Sequence, residues 1–548
     1  MKVIIIGGVA GGASTATRLR RNSEDIEIIM LERGPDISFA NCGMPYYLGE
    51  VIKHRSRLTL VSPKYMKAAF NIDVRVNSEA INIDLDKKSV TIKDLATNKD
   101  YSETYDKLVL SPGAYPLRPP IPGIDDKRIF TLRNLIDMDK IKEYLDENKV
   151  ENVAIIGGGF IGLEMAENIQ GLGKKVTVIE LASQVMAPLD YEMACFVHTH
   201  LKEKGVNLIL NDGVKQFLPN ESAVKTELQS GNKLDTDMVL LAIGVKPDTK
   251  LAKEAGLAIG EFGGIKVNSN LQTGNPDIYA LGDATEIINL VTEKNQLVPL
   301  ANSANKQGRT VADNICGKNK TYTGTPCTAI AKIFDLNVAS TGCNEKLLKK
   351  ETISYRNVLL APANHAGYYP DADYMTIKLI YSPENYRILG AQIIGGKGVD
   401  KRIDVISAML QNNKTVYDLA KLELAYAPPF SSAKDPVNLA GMIAINQIEG
   451  RNPVVEWHEV EKLQKEGAVF LDARTRFQYE TYHIPNAINI PLTKLREESK
   501  NLPKDKKIIV YCNQGKSAYF ALKILQNLGF ENIFNLNGGM TIFEKVPC

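Results

Sequence analysis

Cys42 is the residue whose chemistry is easiest to define from this sequence. It lies in the segment SFANCGMPYY, residues 38–47. A redox pair of the C-x4-C type would need a second cysteine five positions later, and that position holds Tyr47. A redox-active Cys42 therefore has no local thiol partner, which predicts a sulfenic acid or a mixed disulfide with a small-molecule thiol. The electron acceptor is then expected to be small, and either sulfur-based or peroxidic.

The residues after Cys42 bear on its reactivity. Pro45 suits the first turn of a helix. A thiol at a helix N-terminus feels the positive end of the helix dipole, so we expect the pKa of Cys42 to be lowered. The alternative is an inert buried cysteine, but the flanking Asn41, Gly43 and Pro45 do not form a hydrophobic core pattern.

Cys512 is the second candidate for sulfur chemistry. It ends the apolar run KIIVY, residues 507–511, and NQGKS, residues 513–517, leads from it into a helical pattern. A loop of backbone N–H groups that opens a helix forms an anion cradle, which can hold a persulfide or stabilise a thiolate. The alternative is a buried thiol at a strand end.

The N-terminal segment indicates a dinucleotide-binding unit. An apolar strand leads into a turn that contains Gly7, Gly11 and Gly12, then a helix and a second strand that ends at Glu32. The glycines permit close backbone approach to a pyrophosphate, and the carboxylate can accept both ribose hydroxyls. Val9 replaces the middle glycine of G-x-G-x-x-G, so this loop alone is only moderately specific.

A second and cleaner unit follows about 150 residues later. Its turn carries Gly157, Gly159 and Gly162, and its second strand ends at Glu180. A carboxylate at this point occupies the place of a 2′-phosphate, and no Arg or Lys follows before Pro188. We therefore expect NADH to be preferred over NADPH, with NADPH use still possible.

The segment DIYALGDA, residues 277–284, is a buried strand that ends in Gly282 and Asp283. In a flavoprotein with two dinucleotide units, the same residues would hold the ribityl chain and phosphate of FAD. The alternative is an ordinary turn with Asp283 as an N-cap. The similar run 108–114 is expected to be the return strand between the two dinucleotide domains.

Length and composition narrow the class of protein. A chain of 548 residues predicts about three to four domains. A net charge of +2 gives no electrostatic case for a nucleic-acid or membrane partner, and no apolar run approaches the ~20 residues that span a bilayer. Seven scattered cysteines favour a reducing cytoplasm over a disulfide scaffold or a zinc site, and no metal is expected.

Taken together, these segments resemble the pyridine nucleotide-disulfide oxidoreductases of the single-cysteine branch. Within that branch, the chain most resembles coenzyme A-disulfide reductases with a C-terminal rhodanese domain, such as persulfide and polysulfide reductases. Besides the motifs above, the resemblance rests on VPLAN (298–302), HAGYYP (365–370) and YAPPFSSAKDP (426–436). It covers essentially the whole chain.

The resemblance implies an α/β fold with two Rossmann-like dinucleotide-binding domains, an α+β dimerisation domain and a C-terminal α/β rhodanese domain. The expected boundaries are 1–115 with 245–324 for the FAD-binding domain, 116–244 for the NAD(P)H-binding domain, 325–447 for the dimerisation domain and 453–548 for the rhodanese domain. An obligate homodimer is expected.

The resemblance also implies roles for individual residues. Cys42 would cycle through a mixed disulfide with coenzyme A, and Cys512 would carry sulfane sulfur. Tyr368, with Tyr369 as the adjacent possibility, and Tyr426 would reach Cys42 of the other subunit. The residues expected to bind FAD or NADH are Gly7, Gly11, Gly12, Glu32, Arg33, Ala114, Gly157, Gly159, Gly162, Glu180, Gly282, Asp283, Pro299 and Ala301. Those expected to bind coenzyme A are Ser14, Arg18, Arg21, Ser38, Asn41 and Lys434.

The expected activity is NADH-dependent reduction of coenzyme A disulfide, coenzyme A persulfide or polysulfide by a flavoprotein. A water-forming NADH oxidase is the enzymatic alternative, although relatives of that type carry a histidine where this chain has Ala10. A redox sensor of coenzyme A or sulfide status is the non-enzymatic alternative. Rhodaneses usually carry an arginine where this chain has Ser517, next to Lys516, so activity on thiosulfate is not expected.

Overall fold

A computed structural model describes residues 1–546 of the chain. It divides into two compact units. Residues 1–186 and 201–327 form the first unit, and residues 187–200 join the chain from residue 328 onward in the second unit. No helix within residues 1–546 is long and apolar enough to cross a bilayer.

The first unit contains twenty strands and seven helices among the described residues, and an eighth helix, α6, lies mainly in the second unit. The strands are β1 (Lys2–Ile6), β2 (Glu27–Leu31), β3 (Asp73–Arg75), β4 (Ser78–Asp84), β5 (Ser89–Asp94), β6 (Lys99–Thr104), β7 (Lys107–Leu110), β8 (Ala114–Pro116), β9 (Ile129–Thr131), β10 (Asn152–Ile156), β11 (Lys175–Ile179), β12 (Asn207–Ile209), β13 (Val214–Pro219), β14 (Val224–Leu228), β15 (Lys233–Thr236), β16 (Met238–Leu241), β17 (Val245–Pro247), β18 (Ile278–Ala280), β19 (Glu286–Ile288) and β20 (Asn295–Leu297). In chain order the helices up to residue 327 are α1 (Ala10–Asn22), α2 (Met44–Leu48), α3 (Pro63–Phe70), α4 (Leu135–Glu147), α5 (Phe160–Gly171), α6 (Tyr191–Glu203), α7 (Lys250–Glu254) and α8 (Ala301–Ile315).

Two five-stranded parallel sheets organise the first unit, in the orders β18-β7-β1-β2-β3 and β12-β11-β10-β16-β9. Their central strands, β1 and β10, are buried on both faces, which is why their sequences are continuous apolar runs. Each of these strands is followed by a glycine turn and a helix, α1 or α5. The glycine turns therefore lie at the carboxyl ends of parallel strands, where open α/β sheets bind their ligands.

The second unit contains ten further strands and nine further helices among the described residues. The strands are β21 (Ala329–Ile333), β22 (Leu336–Gly342), β23 (Arg356–Leu360), β24 (Met375–Tyr381), β25 (Ile388–Gly395), β26 (Val454–Val455), β27 (Val469–Asp472), β28 (Ile488–Asn489), β29 (Ile508–Tyr511) and β30 (Ile533–Leu536). The helices are α9 (Glu345–Lys350), α10 (Val399–Gln411), α11 (Val416–Ala420), α12 (Pro436–Ile448), α13 (Val460–Lys465), α14 (Arg476–Thr481), α15 (Leu495–Glu498), α16 (Lys516–Asn527) and α17 (Gly539–Phe543).

These elements form one antiparallel and one parallel sheet. The antiparallel sheet has the order β21-β22-β25-β24-β23, and β24 and β25 are buried along their whole length. The parallel sheet has the order β26-β30-β29-β27-β28 and carries Cys512 directly after its central strand β29. Helix α16 packs on the same face of that sheet as Cys512, through Ala518, Ala521 and Leu525.

Asn537 joins the two sheets of the second unit. Its Oδ1 accepts a hydrogen bond from the backbone N–H of Leu359 at 3.0 Å, and its Nδ2 donates to Oδ1 of Asn357 at 2.7 Å. The same Nδ2 donates to Oε1 of Glu456 at 3.0 Å. All of these groups are buried or partly buried, so the parallel sheet is anchored to the edge strand β23 of the antiparallel sheet through a satisfied polar contact.

Candidate active sites

The two glycine turns have the geometry that a pyrophosphate requires. Gly7 has φ of +101° and Gly157 has φ of +107°, which side chains strongly disfavour. A Cβ atom on Gly12 would lie 1.8 Å from the carbonyl oxygen of Gly7, and one on Gly162 would lie 2.0 Å from that of Gly157. These glycines let α1 and α5 start against their strands and leave a backbone surface that a phosphate can approach.

The carboxylates at the ends of β2 and β11 are held beside these turns. Glu32 accepts hydrogen bonds from the backbone N–H groups of Gly8 and Gly34, both at 2.9 Å. Glu180 accepts from Gly158 at 2.7 Å and from Ala182 at 2.9 Å. A carboxylate has about four acceptor positions, so each keeps capacity for the hydroxyls of a ribose.

The other expected FAD contacts come from four elements of the first unit. Gly282 has φ of +76°, and its N–H donates to Oε1 of Gln307 on α8 at 2.7 Å. Burial raises the pKa of the neighbouring Asp283, and the positive charge of Arg133 partly opposes this. Arg33 is paired with Asp248 at 3.0 Å. Ala114 lies in β8, Pro299 precedes α8 and Ala301 begins it.

Gly11, the third glycine of the first loop, lets other parts of the first unit approach the loop closely, as does Gly308. A Cβ atom on Gly11 would lie 2.2 Å from Cδ1 of Leu281. A Cβ atom on Gly308 of α8 would lie 2.7 Å from the carbonyl oxygen of Gly11. Two bare turns, two strand-end carboxylates and this close approach of α8 fit the binding of two dinucleotides.

Cys42 lies in the first unit on a short turn of 3-10 helix, Asn41–Gly43, that leads into the five-residue helix α2. The side chain is exposed to solvent and its thiol is free. The predicted lowering of its pKa is wrong. Partial desolvation of the thiol and the negative charges of Glu164 and Asp283 raise the pKa, and they outweigh the backbone N–H of Cys42 itself.

Glu164 is a functional candidate that the sequence did not reveal. It lies on α5, one turn after Phe160, and its charge acts on both Cys42 and Tyr46. Burial and the neighbouring Glu167 raise the pKa of Glu164 to about 7. A carboxyl group that titrates near neutrality beside a reactive thiol can accept or donate a proton during turnover.

The residues expected to bind coenzyme A lie in different environments. Arg18 forms a bidentate pair with Asp313 on α8, at 2.8 and 3.1 Å, whereas Arg21 is exposed. The Ser14 hydroxyl donates to Asn305, also on α8. Arg18 is therefore already neutralised within the chain, and Arg21 is the more available cation.

The other three residues of this group are at least partly accessible. Ser38 has φ of +46°, an unusual conformation for a residue with a side chain. Nδ2 of Asn41 donates to the backbone oxygen of Arg133 at 3.3 Å. Lys434, in the second unit, is exposed.

The structure brings the two predicted tyrosines together in the second unit. The hydroxyls of Tyr368 and Tyr426 are 3.1 Å apart, and Tyr368 is 77% exposed. The hydrogen bond to Tyr426 raises the pKa of Tyr368. Tyr369, the adjacent possibility, instead packs its ring against His365. The pair therefore presents two linked hydroxyls to solvent in the single chain.

Cys512 is buried at the end of β29, and the loop after it has the form predicted from the sequence. Gly515 has φ of +83°, and α16 begins at Lys516. The loop is held from the side by Arg474, whose guanidinium binds Asp472 at 2.7 Å and donates to Oδ1 of Asn513 at 3.2 Å. The backbone N–H groups at the start of α16 are thus positioned to stabilise negative charge on sulfur.

A buried acidic cluster in the second unit is filled by a lysine. The ammonium of Lys378 lies 2.9 Å from Asp190, 2.7 Å from Glu345 and in direct contact with Glu192. Burial lowers the pKa of Lys378, but the three carboxylates reverse this and raise it. The cluster is the one group of possible metal ligands found among the described residues, and the ammonium already lies against each of its carboxylates.

Comparison with known proteins assigns the family. The model of the pyridine nucleotide-disulphide oxidoreductases matches residues 1–308. This chain belongs to that family. The family's dimerisation domain matches residues 328–436, and a rhodanese-like domain matches residues 456–545. The predicted α/β fold class and the predicted enzyme class are therefore confirmed, and the family implies FAD and NAD(P)H as cofactors.

Individual relatives narrow the comparison. A coenzyme A disulfide reductase of Staphylococcus haemolyticus is 34% identical over 441 residues, which cover 80% of this chain and 98% of the relative. A protein named NADH oxidase from Methanocaldococcus jannaschii is also 34% identical, over 82% of this chain and all of the relative. These two names correspond to the expected function and to its enzymatic alternative.

Two solved structures match almost the whole chain. Reduced CoADR-RHD of Bacillus anthracis superposes with a TM-score of 0.97, at 48% identity, over 99% of this chain and 98% of its own. A NAD-dependent persulfide reductase from A. fulgidus superposes with a TM-score of 0.94, at 38% identity, over 99% of this chain and all of its own. The resemblance stated from the sequence is confirmed.

Proposed function

We propose that this protein is an FAD-dependent reductase that uses NADH to reduce coenzyme A disulfide, coenzyme A persulfide or polysulfide. The observation that carries the proposal is the free, exposed thiol of Cys42, which has no second cysteine beside it and lies in the unit that holds both dinucleotide turns. Such a thiol needs an atom of the substrate to complete its redox cycle, and a sulfur substrate supplies that atom through a mixed disulfide.

The proposed reaction begins at Cys42. Its thiolate attacks one sulfur of coenzyme A disulfide, so that a Cys42–S–S–CoA bond forms, the substrate S–S bond breaks and one coenzyme A thiolate leaves. The first glycine turn, Glu32 and Gly282 would hold FAD, which would supply a path for the two electrons of NADH to this mixed disulfide. That reduction cleaves the bond, releases the second coenzyme A thiol and restores the Cys42 thiolate.

We propose that one carboxyl group and two tyrosine hydroxyls transfer the protons that this reaction needs. We propose that Glu164, with a pKa of about 7, exchanges a proton at the Cys42 side of the site. The hydrogen-bonded hydroxyls of Tyr368 and Tyr426 are proposed to donate to the leaving coenzyme A thiolate from the partner subunit of a homodimer. The solvent exposure of that pair in the single chain supports a role outside its own subunit.

Cys512 adds a sulfur-transfer step. Its thiolate is proposed to take sulfane sulfur from a persulfide or polysulfide, in the cradle formed by the residues around Gly515. Because the loop carries Lys516 and Ser517 where a bidentate arginine would bind a small dianion, persulfides are favoured over thiosulfate.

A specific observation also supports NADH as the reductant. Glu180 is fixed beside the second glycine turn by two backbone N–H groups. Its negative charge would repel the 2′-phosphate of NADPH, so NADH is proposed as the preferred cofactor. Ser14, Ser38, Asn41, Arg21 and Lys434, with Arg18 once it is released from Asp313, are proposed to bind coenzyme A.

The oxidase remains the second candidate because a relative with that name matches as well as the disulfide reductase does. NADH consumption without oxygen separates the two. We expect rapid turnover with coenzyme A disulfide that is lost in Cys42→Ser and retained in Cys316→Ser, a change at a half-buried cysteine. Turnover only after air is admitted would instead assign the oxidase. Persulfide turnover that requires Cys512 would place both cysteines in one pathway.

A further inference from the structure

A cavity of about 540 Å³ opens beside the loop that follows Cys512, within the second unit. One wall comes from the rhodanese part, including Phe477 on α14 and Met540 on α17. The facing wall comes from the antiparallel sheet, including Tyr374 and Thr376 at the start of β24. Its volume lies within the range of about 300–1,000 Å³ that small-molecule sites occupy.

The cavity wall is tied directly to the Cys512 backbone. Asn513 and Gln514, the two residues after Cys512, are part of the lining. The N–H of Met540 donates to the carbonyl oxygen of Cys512 at 2.9 Å, and the N–H of Thr541 donates to that of Asn513 at 3.0 Å. A molecule in this cavity therefore lies against the first two residues of the loop that follows Cys512.

The charge of the lining excludes a simple anion site. Among the described lining residues, Arg474 and Glu544 are the two with charged side chains. Arg474 is bound by Asp472 at 2.7 Å, and Glu544 lies 3.9 Å from its guanidinium. No uncompensated positive charge faces the cavity, so binding a small dianion there would require desolvating it without an ion pair.

Apolar and amide groups dominate the remaining lining. Phe477 is 78% exposed and Tyr374 is 61% exposed. Each wall of the cavity therefore contributes one accessible aromatic ring. The side-chain amides of Gln478, Asn513 and Gln514 supply both donors and acceptors. This combination suits an uncharged chain that alternates aliphatic and amide groups.

We propose that this cavity binds the neutral, amide-bearing body of a low-molecular-weight persulfide and presents its terminal sulfur to Cys512. The inference rests on the proposed role of Cys512 as a sulfur acceptor. The Cys512 thiolate attacks the outer sulfur of R–S–SH, so that a Cys512–S–SH bond forms and the donor S–S bond breaks. The electron pair leaves with R–S⁻, which takes up a proton as the free thiol.

The test measures how fast Cys512 is loaded, in the full-length Cys42→Ser protein and without NADH. Pantetheine persulfide and thiosulfate are compared at equal concentration, and persulfidation is read by mass spectrometry of the alkylated peptide that contains Cys512. We expect pantetheine persulfide to load Cys512 at least about tenfold faster. Equal rates, or faster loading by thiosulfate, would overturn the inference.

Variants on the two walls test the cavity itself. Phe477→Ala and Tyr374→Ala are each expected to lower the loading rate at subsaturating donor by about fivefold or more, the size expected when an aromatic contact is truncated. The matched control is Phe520→Ala on α16, which is 49% exposed and outside the lining. Unchanged fluorescence of Trp457 verifies that each variant is folded.

The outcomes separate this inference from the proposed function. Loading that is indifferent to both wall variants would refute the cavity while leaving Cys512 as a sulfur acceptor. Absence of loading from every donor would refute both. Failure of NADH-dependent turnover through Cys42, with normal loading of Cys512, would refute only the reductase.

Discussion

Glu456 supports the most quantitative prediction, because it is a partly buried carboxyl group at the junction of the two sheets of the second unit. Its Oε1 accepts hydrogen bonds from Asn357 at 3.3 Å and from Asn537 at 3.0 Å. Burial raises the pKa of Glu456 from 4.5 to about 7. The Asn537 hydrogen bond and Lys378 lower it, but they do not compensate, and the charge of Glu345 adds to the rise.

The folded protein therefore holds the Glu456 proton more tightly than the unfolded chain does. This carboxyl contributes most to stability below pH about 4.5, and its contribution is lost as the pH rises toward 7. With about 1.36 kcal/mol for each unit of pKa, linkage gives a loss of about 2 kcal/mol between pH 5.5 and pH 8. The neutral variant Glu456→Gln should not show this loss.

Trp457 provides the assay. It is the single tryptophan of the chain and the next residue after Glu456, and its ring centroid lies 6.2 Å from that of Tyr191 in the same unit. Urea unfolding followed by its fluorescence gives the free energy of unfolding at each pH from 5.5 to 8.5. Over this range, the free energy of unfolding of Glu456→Gln should fall by about 2 kcal/mol less than that of the parent. Parallel pH dependences of the two proteins would refute the reasoning. Glu461→Gln, at an exposed glutamate five residues later, should follow the parent.

Three further predictions concern charge. Glu164→Gln removes a negative charge beside Cys42, so the alkylation rate of Cys42 by iodoacetamide should reach its midpoint at a lower pH than in the parent. Glu180→Gln should raise the ratio of kcat/KM for NADPH to that for NADH by about tenfold, or about 1.4 kcal/mol, because it removes repulsion at the 2′-phosphate. Lys378→Met leaves three carboxylates buried without their cation, and it should lower the free energy of unfolding reported by Trp457 by about 3–5 kcal/mol at pH 8.

Matched variants control these three experiments. Glu151→Gln, at an exposed glutamate of the first unit, should leave the alkylation midpoint and the cofactor ratio unchanged. Lys350→Met, at an exposed lysine of α9, should change stability by less than about 0.5 kcal/mol. An unshifted alkylation midpoint in Glu164→Gln would remove Glu164 from the Cys42 site. An unchanged cofactor ratio or a stable Lys378→Met would contradict the corresponding charge argument.

Local patterns made most of the fold predictable. Three features are each formed by residues that follow one another in the sequence: the glycine turns, the carboxylates at the strand ends and the loop after Cys512. Parallel strands buried on both faces also leave an unmistakable apolar run, as in β1.

Features that depend on distant residues were not predictable from the sequence. Residues 187–200 belong to the second unit, where Asp190 and Glu192 bind Lys378, almost two hundred positions later. The pKa of Cys42 was predicted in the wrong direction for the same reason. Pro45 marks a helix start, but that helix is only five residues long. Desolvation of the thiol and the charge of Glu164 on α5 raise the pKa of Cys42.

The anchoring of Asn537 on β23 has a consequence for how sulfur travels. A domain joined only by a flexible linker could move as a whole and bring a cysteine-bound sulfur atom to a second thiol. Here the backbone of Leu359 and the side chain of Asn357 hold the Cys512-bearing sheet in place on its neighbour. Cys512 therefore keeps its position relative to the antiparallel sheet of the second unit. In the proposed function, a thiol that receives sulfur from Cys512 would have to come to it. The rate of sulfur transfer from Cys512 would then depend on the concentration of that thiol in the cell. The enzyme would therefore respond to the concentration of the thiol as well as to the supply of sulfur.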